Sequence, residues 1–192
     1  MKFSELITKA IPEILDIHDK DLRQKTIEVW ELVYRDTQWK CSIEEIPFND
    51  KIGWVPLVKH TRSVTQEAVR ATNHIKEFYA PEIDIDKVRV ISILHDCCKG
   101  VETQPNDNNK SVKSKIGCLY PHGSMSFYYA KAVGLPDDIC HAILTHTGSC
   151  KMIPSTIEGI IVRYVDSLDA DILYYMSGLS TLMERANNNY KK

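Results

Sequence analysis

The sequence has no long apolar run, no marked excess of charge and no signal-peptide pattern. No window approaches the roughly 18 apolar residues that a membrane-spanning helix needs. Residues 1–16, MKFSELITKAIPEILD, are charged too often for the apolar core of a signal peptide. The 24 basic and 26 acidic residues leave a net charge of −2, which argues against a nucleic acid polymer or an anionic membrane as partner. We therefore expect a cytoplasmic protein.

The six cysteines contain no CxxC pair and no paired zinc-ligand spacing. Without a secretion signal, a disulfide framework is the wrong default. The adjacent Cys97 and Cys98 are compatible with a redox or metal device, but the favoured interpretation is two small buried side chains. The sequence also lacks internal repeats and low-complexity tracts, and its 192 residues fit one domain.

Helix signals dominate what is present. In LRQKTIEVWELVYRDTQW, residues 22–39, the apolar side chains recur on one stripe. Further helix starts are predicted near Pro56, Pro121 and Pro136 and at Ser155/Thr156. These signals predict an all-α, single-domain helical bundle. In it, residues 1–55 form N-terminal helices and a connector that pack on a core of residues 56–180.

Two segments are less certain from local sequence. The β-branched run of residues 88–93 leaves helix against strand open, although Asp86 as a cap and Gly100 as a stop favour a buried helix. Residues 101–121 are polar and are predicted to be a long loop, of the kind that often forms a lid.

Several predicted helices carry polar groups on their inward faces. An isolated buried carboxylate is costly unless a partner or a metal compensates. Imidazoles and carboxylates drawn from separate helices are how helical bundles build metal sites. The predicted metal ligands are His60, His95, Asp96, His122, His146 and Asp166. Four imidazoles suit Fe, Mn, Co, Ni or Zn better than Mg or Ca.

Charged residues near these ligands suggest an anionic substrate. Lys99 follows His95 by four residues and Asp96 by three, so on a helix it returns to the same face, where it would meet a substrate anion as a point charge. The alternative is a lysine that reaches out to solvent. Asp169, one turn after Asp166, is equally compatible with a partner of a ligand and with a surface residue. The lysines of 101–121 are more simply solvated charges than substrate contacts.

The ordered set of six ligands resembles the HD-domain metalloenzyme superfamily in its dinuclear H…HD…H…H…D form. The resemblance covers roughly residues 56–172 and rests on VKHTRSVTQEA, ILHDCCKG, YPHGSMSFYYAKAVGLPDDICHAILTHTGS and VRYVDSLDAD. It differs from many relatives in the two cysteines between HD and lysine. No GYP signature appears, so cleavage of cyclic dinucleotides is not supported.

The resemblance implies a chemistry and a role for each ligand. Asp96 would bridge two divalent transition-metal ions. His60, His95 and Asp166 would complete one metal site, and His122 and His146 the other. A metal-bridging hydroxide would hydrolyse a small phosphate ester, expected to be a nucleotide, with Asp96 and Lys99 as catalytic residues. A homo-oligomer is compatible with the sequence.

Two other functions stay open at this stage. Some HD-type proteins with the same ligand order use a mixed-valence di-iron centre as an oxygenase, and the ligands alone do not separate the two chemistries. A non-catalytic nucleotide sensor that keeps the metal for structure is less favoured, because a full ligand set with Lys99 is more than a scaffold needs.

Overall fold

The computed structural model describes residues 2–148 and 150–189, and helices make up most of this part of the chain. The α-helices are α1 (Phe3–Ala10), α2 (Lys20–Asp36), α3 (Leu57–Tyr79), α4 (Ile85–Leu94), α5 (Lys99–Glu102), α6 (His122–Ala132), α7 (Asp137–Thr145), α8 (Ile157–Met176) and α9 (Leu182–Asn189). Two 3-10 helices span Pro12–Asp16 and Ile43–Glu45, and strands β1 (Thr103–Pro105) and β2 (Ser111–Lys113) pair antiparallel. The predicted all-α class is confirmed. Among the described helices, none combines the length and the apolar character needed to cross a membrane.

Four helices, α3, α6, α7 and α8, begin where the sequence predicts. Pro56, Pro121 and Pro136 each sit immediately before α3, α6 and α7. The Thr156 hydroxyl accepts a hydrogen bond from the Gly159 backbone N–H at the start of α8. Proline's fixed φ and a side-chain acceptor for a free N–H are both typical of helix starts.

The β-branched segment forms a helix, α4, but its cap is not the predicted residue. The Asp84 side chain accepts from the first-turn N–H groups, whereas Asp86 is buried. Asp86 instead accepts from the backbone N–H groups of His18 and Asp19 at 2.8 and 2.9 Å and from Arg89 at 2.9 Å. The carboxylate predicted to start the helix therefore ties the N-terminal region to α4.

The helix predicted to run through HDCCKG is shorter than expected. It ends at Leu94, residues 95–98 form a turn, and Gly100 lies inside α5 instead of stopping a helix. The predicted long loop of 101–121 is also wrong in part, because it contains the end of α5 and the β1–β2 hairpin. Asn109 adopts a φ of 56° in the hairpin turn, a conformation that asparagine tolerates.

The return of the hairpin toward α6 is fixed by a close approach of two backbones. A side chain at Gly117 would collide with the backbone carbonyl of Glu102. Only glycine therefore fits there. This contact holds Gly117, near the end of the 101–121 segment, beside Glu102 and shortly before the start of α6.

Helix α4 lies at the centre of the bundle, in contact with α2, α3, α7 and α8. Its residues from Val90 to Leu94 are all buried. The N-terminal region contributes to the same hydrophobic cluster with Ile7, Ile11, Ile14, Ile17 and Trp30, which are at most 1% exposed. This packing brings together the start of α3, the C-terminal ends of α4 and α7, and the middle of α8.

Candidate metal centre

The six predicted ligands converge at the end of α4. His60 comes from the first turn of α3, and His95–Asp96 from the turn that follows α4. His122 is the first residue of α6, His146 follows the last residue of α7, and Asp166 lies in α8. His60, His95, Asp96 and His146 are each at most 1% exposed, and Asp166 is 9% exposed.

Four of these residues form what we call the inner cluster: His60, His95, Asp96 and Asp166. Their potential ligand atoms all lie within 4.8 Å of one another. The Nε2 atom of His60 is 3.2 Å from an oxygen of Asp96 and 3.2 Å from one of Asp166. The Nε2 atom of His95 is 3.5 and 3.4 Å from the same two oxygens.

The outer cluster consists of Asp96, His122 and His146. Their ligand atoms also lie within 4.8 Å of one another. The Nε2 atoms of His122 and His146 are 3.1 and 3.3 Å from Asp96 Oδ1, whereas both inner histidines face Asp96 Oδ2. Asp96 thus presents one carboxylate oxygen to each cluster.

The outward nitrogen of each histidine is committed to an acceptor. His95 Nδ1 donates to the carbonyl of Ser92, and His146 Nδ1 to that of Ile143, each at 2.6 Å. A carbonyl only accepts, so both Nδ1 atoms carry the proton. In a neutral imidazole, the inward Nε2 atom then offers only a lone pair.

The other two histidines have carboxylate partners. His60 Nδ1 is 2.7 Å from Asp169, which also accepts from the Ser63 hydroxyl. His122 Nδ1 is 3.3 Å from Glu102, whose other oxygen is 2.6 Å from Lys113 Nζ. An outer carboxylate or carbonyl that fixes the histidine tautomer is characteristic of metal-binding imidazoles.

This arrangement leaves acceptors facing acceptors in a buried space. His60 Nε2 and His95 Nε2 are 3.3 Å apart. Both oxygens of Asp96 and the Nε2 of His146 are buried and make no well-formed hydrogen bond, although charged nitrogens approach Asp96. Buried lone pairs that converge in this way require a cation or added protons between them. The donor set therefore fits divalent metal ions.

The charge balance of the metal-free cluster follows from the same contacts. Burial by itself would lower the pKa of His60, but its close contacts with the carboxylates of Asp166, Asp169 and Asp96 outweigh burial and raise the pKa to about 9. Burial likewise opposes protonation of His95, yet the charge of Asp96 and the bond to Asp166 raise its pKa to about 10. Without metal, protons occupy the place of the cation.

The remaining ligands differ in their protonation. Burial opposes protonation of His122, but the charge of Asp96 raises its pKa. Burial lowers the pKa of His146 despite its contact with Asp96. Burial would raise the pKa of Asp96, but the charges of Lys99, His95 and His122 hold it well below its usual range. The shared carboxylate is therefore ionised.

Lys99 lies beside the shared carboxylate although it is not on the predicted continuous helix. Its Nζ is 3.0 Å from Asp96 Oδ2 and 3.8 Å from the centre of the Phe48 ring. Burial by itself would lower the pKa of Lys99, but Asp96 and Asp166 raise it, so the side chain stays cationic. Its side chain is buried, which argues against the alternative of a lysine that reaches out to solvent.

A cavity of about 410 Å³ opens on the outer cluster. Three lysines line it: Lys51 from the connector, Lys99 from α5 and Lys113 from β2. The full lining is Asn49, Asp50, Lys51, Lys99, Glu102, Lys113, Pro121, His122, Thr147 and Tyr174. Of the lysines of 101–121, only Lys113 is among these residues.

Sequence reasoning missed two residues of the site. Glu102 lies in the segment predicted to be a loop, and its contact with His122 depends on α5 and the hairpin, which have no strong local signal. Lys51 belongs to a connector without a recognisable motif. Asp169 was left undecided, and the structure places it against His60.

A family comparison agrees with this geometry. The model of the HD domain matches residues 57–171, which span α3 to α8 and all six predicted ligands. This chain belongs to the HD-domain family. HD domains bind divalent metals, and the matched residues include both clusters at the end of α4.

One curated relative of this HD protein is the dihydroneopterin 2',3'-cyclic phosphate phosphodiesterase of Methanocaldococcus jannaschii. It is 25% identical over 166 residues, which cover 81% of this chain. The match covers 66% of the relative, just under two thirds of its length. No solved structure matches the chain significantly.

Proposed function

We propose that this chain is a metal-dependent phosphohydrolase that holds two divalent transition-metal ions. His60, His95, Asp96 and Asp166 would hold one ion, and Asp96, His122 and His146 the other. The observation that carries this proposal is the convergence of Nε2 lone pairs on both oxygens of Asp96, in two clusters that share this carboxylate. A single cation would satisfy only one of the two clusters.

The donor set limits which metals fit. Four imidazoles with two carboxylates favour Fe, Mn, Co, Ni or Zn over Mg or Ca. Two such ions would activate water for attack at phosphorus and offset the negative charge of the phosphate.

The residues around the ions have separate tasks in this proposal. Asp169 and Glu102 hold the rings of His60 and His122 with Nε2 turned inward. Lys99 is buried, cationic and next to the shared carboxylate, so it is suited to stabilise charge that develops on phosphoryl oxygens. Its position over the Phe48 ring restricts the ammonium group to this side of the site.

The cavity supports a small phosphorylated substrate. Lys51 and Lys113 add positive charge at the entrance, beyond Lys99. Asn49 and Tyr174, joined by a 3.2 Å hydrogen bond, form a polar and aromatic wall suited to the heteroaromatic part of a nucleotide or pterin. The relative's name points to a cyclic phosphodiester. We therefore propose a nucleotide-like 2',3'-cyclic phosphate as the first substrate class to test.

The test is a phosphate-ester panel with metal-loaded protein. The chain, reconstituted in turn with each of the five metals, is incubated with nucleoside 2',3'-cyclic phosphates, nucleoside monophosphates and sugar phosphates, and the products are followed by phosphorus NMR. We expect ring opening or phosphate release with at least one metal, and loss of turnover in Asp96→Ala. The matched control is Asp107→Ala, an exposed aspartate of the hairpin turn.

A panel without turnover, with metal content verified, would contradict the proposal. A mixed-valence di-iron EPR signal with oxygen consumption would replace it by the oxygenase. Unchanged ligand binding by a folded Asp96→Ala variant, without any turnover by the parent, would support the sensor.

A further inference from the structure

Helix α8 exposes an apolar surface along its whole length. Every position of this helix that is classed as exposed carries an apolar or tyrosine side chain. We call these side chains the α8 stripe: Ile157, Ile160, Tyr164, Leu168, Ile172, Tyr175 and Met176. From Ile157 to Tyr175 they are spaced three or four residues apart, and Met176 follows Ile172 by four, which keeps them on one face of the helix.

Helix α2 shows that this surface is unusual within the same molecule. It is another long helix, and its exposed positions are all polar: Lys20, Asp21, Gln24, Glu31, Arg35 and Asp36. A solvent-facing helix normally resembles α2. The outer face of α8 has the composition of a buried face.

The charged residues of α8 are all engaged within the chain. Asp166 and Asp169 point to the candidate metal centre. Glu158 accepts from the Asp84 backbone N–H, and the guanidinium of Arg163 donates to the Thr145 carbonyl. Asp171, the fifth, accepts from the backbone N–H of Leu182. None is left to solvate the stripe.

The size of the stripe matches a protein interface. With exposed fractions from 41% to 78%, its seven side chains present on the order of 900 Å², against about 300–600 Å² for the largest apolar patch of a typical monomer. One partner contributes roughly 800 Å² to a standard interface. The stripe therefore exceeds the usual patch and suffices for a stable contact.

We propose that a second copy of this chain covers the stripe, with the two α8 helices packed antiparallel around a two-fold axis at Leu168. In this arrangement Leu168 meets its own counterpart, Tyr164 meets Ile172 of the second copy, and Ile160 meets Met176. These three pairings use five of the seven stripe residues and bring only apolar and tyrosine side chains together, as a self-complementary two-fold interface requires.

A lipid surface is a poorer occupant. Helices that lie on membranes usually carry Lys and Arg beside the apolar face. The one basic residue of α8, Arg163, is tied to backbone carbonyls instead. A stripe without a basic rim favours a second copy.

The experiment measures the mass of the full chain by light scattering and sedimentation velocity over a concentration series. We expect twice the 22.0 kDa of one chain, and half of that value for Leu168→Glu, because two carboxylates would meet at the axis in an apolar contact. Leu15→Glu is the control, since Leu15 is 57% exposed outside the stripe. It should leave the mass unchanged.

A second pair of variants tests the antiparallel geometry. Tyr164→Lys and Ile172→Glu should each dissociate the dimer, and the double variant should restore it through two lysine–glutamate contacts across the axis. Circular dichroism verifies that each variant is folded. A monomeric parent, a dimer that survives Leu168→Glu, or stripe-dependent binding of the monomer to anionic vesicles would overturn the proposal.

Discussion

The inner and outer clusters share Asp96 but differ in the number and the surroundings of their other donors. The inner cluster adds three donors, from α3, the turn after α4 and α8, and no residue of it lines the cavity. The outer cluster adds only His122 and His146, and His122 lines the cavity with Lys113. Four protein donors would fill a tetrahedral site or four positions of an octahedral one, whereas three would leave at least one position open for water or substrate.

This difference suggests a division of work between the two ions. The inner ion would be held more tightly and would keep α3, α4 and α8 together. The outer ion would bind more weakly and would face the substrate.

The largest effect is expected for Asp96→Ala, because it removes the one ligand common to both clusters. Both ions should be lost, and turnover should fall by more than about a thousandfold, or roughly 4 kcal/mol in barrier height. Metal content by mass spectrometry and turnover on the best substrate of the panel measure the two effects. If Asp96→Ala still holds two ions per chain, the shared role of Asp96 is wrong.

Removal of one unshared ligand from each cluster should separate the two ions. Asp166→Ala is expected to empty the inner site and lower thermal stability, because His60 and His95 lose the carboxylate that offsets them. His122→Ala should leave the inner ion in place and reduce the content to one ion per chain. Both should reduce turnover by about a hundredfold or more.

The measurements are metal content after dialysis and thermal unfolding with and without added metal. Thr147→Ala, another residue that lines the cavity, is the control for substitution near the outer cluster. Equal loss of metal in Asp166→Ala and His122→Ala would remove the distinction between the clusters.

The sequence predicted the fold class and the helix starts, because prolines and hydroxyl caps are local signals that tertiary packing did not override. It also predicted that His60 is buried, since this residue falls on an apolar stripe of α3. The C-terminal ends of the helices were harder to predict. Gly100 was a plausible stop, but the chain leaves α4 at Leu94 so that both His95 and Asp96 face the centre.

The partners of the ligands could not be predicted in the same way. Glu102 reaches His122 through a turn, a hairpin and the close approach at Gly117, none of which has a periodic pattern. Asp169 is one helical turn from Asp166, and this spacing is compatible both with a partner of a ligand and with a surface residue. The boundary between residues 1–55 and 56–180 and the cytoplasmic location stay predictions.

A smaller effect is expected for the carboxylates that orient the histidines. Asp169→Asn should weaken the inner ion and Glu102→Gln the outer ion, each by about 10- to 100-fold, since loss of such an orienting carboxylate typically costs this much. Competition with a fluorescent chelator measures each affinity. Asp21→Asn, on the polar face of α2, is the control. Weakening of the same ion by both variants would contradict the assignment of one partner to each cluster.

The smallest effect is a difference in pH dependence between the two ions. The pKa values of His60 and His95 are raised from 6.5 to about 9 and about 10, so both are protonated at pH 7 in the metal-free protein. An inner ion must displace these protons, and its apparent affinity should rise up to tenfold per pH unit for each proton released. At the outer cluster the charge of Asp96 raises the pKa of His122, but burial lowers that of His146, so we expect the outer ion to displace fewer protons. The raised pKa values of His60 and His95 also stabilise the metal-free fold. This stabilisation is complete below pH 6.5 and should be lost as pH rises toward 10.

Calorimetric titration in buffers of different ionisation enthalpy counts the protons released on metal binding, and we expect more protons for the inner ion than for the outer ion. Equal proton release for both ions would contradict the predicted difference in protonation between the metal-free inner and outer clusters.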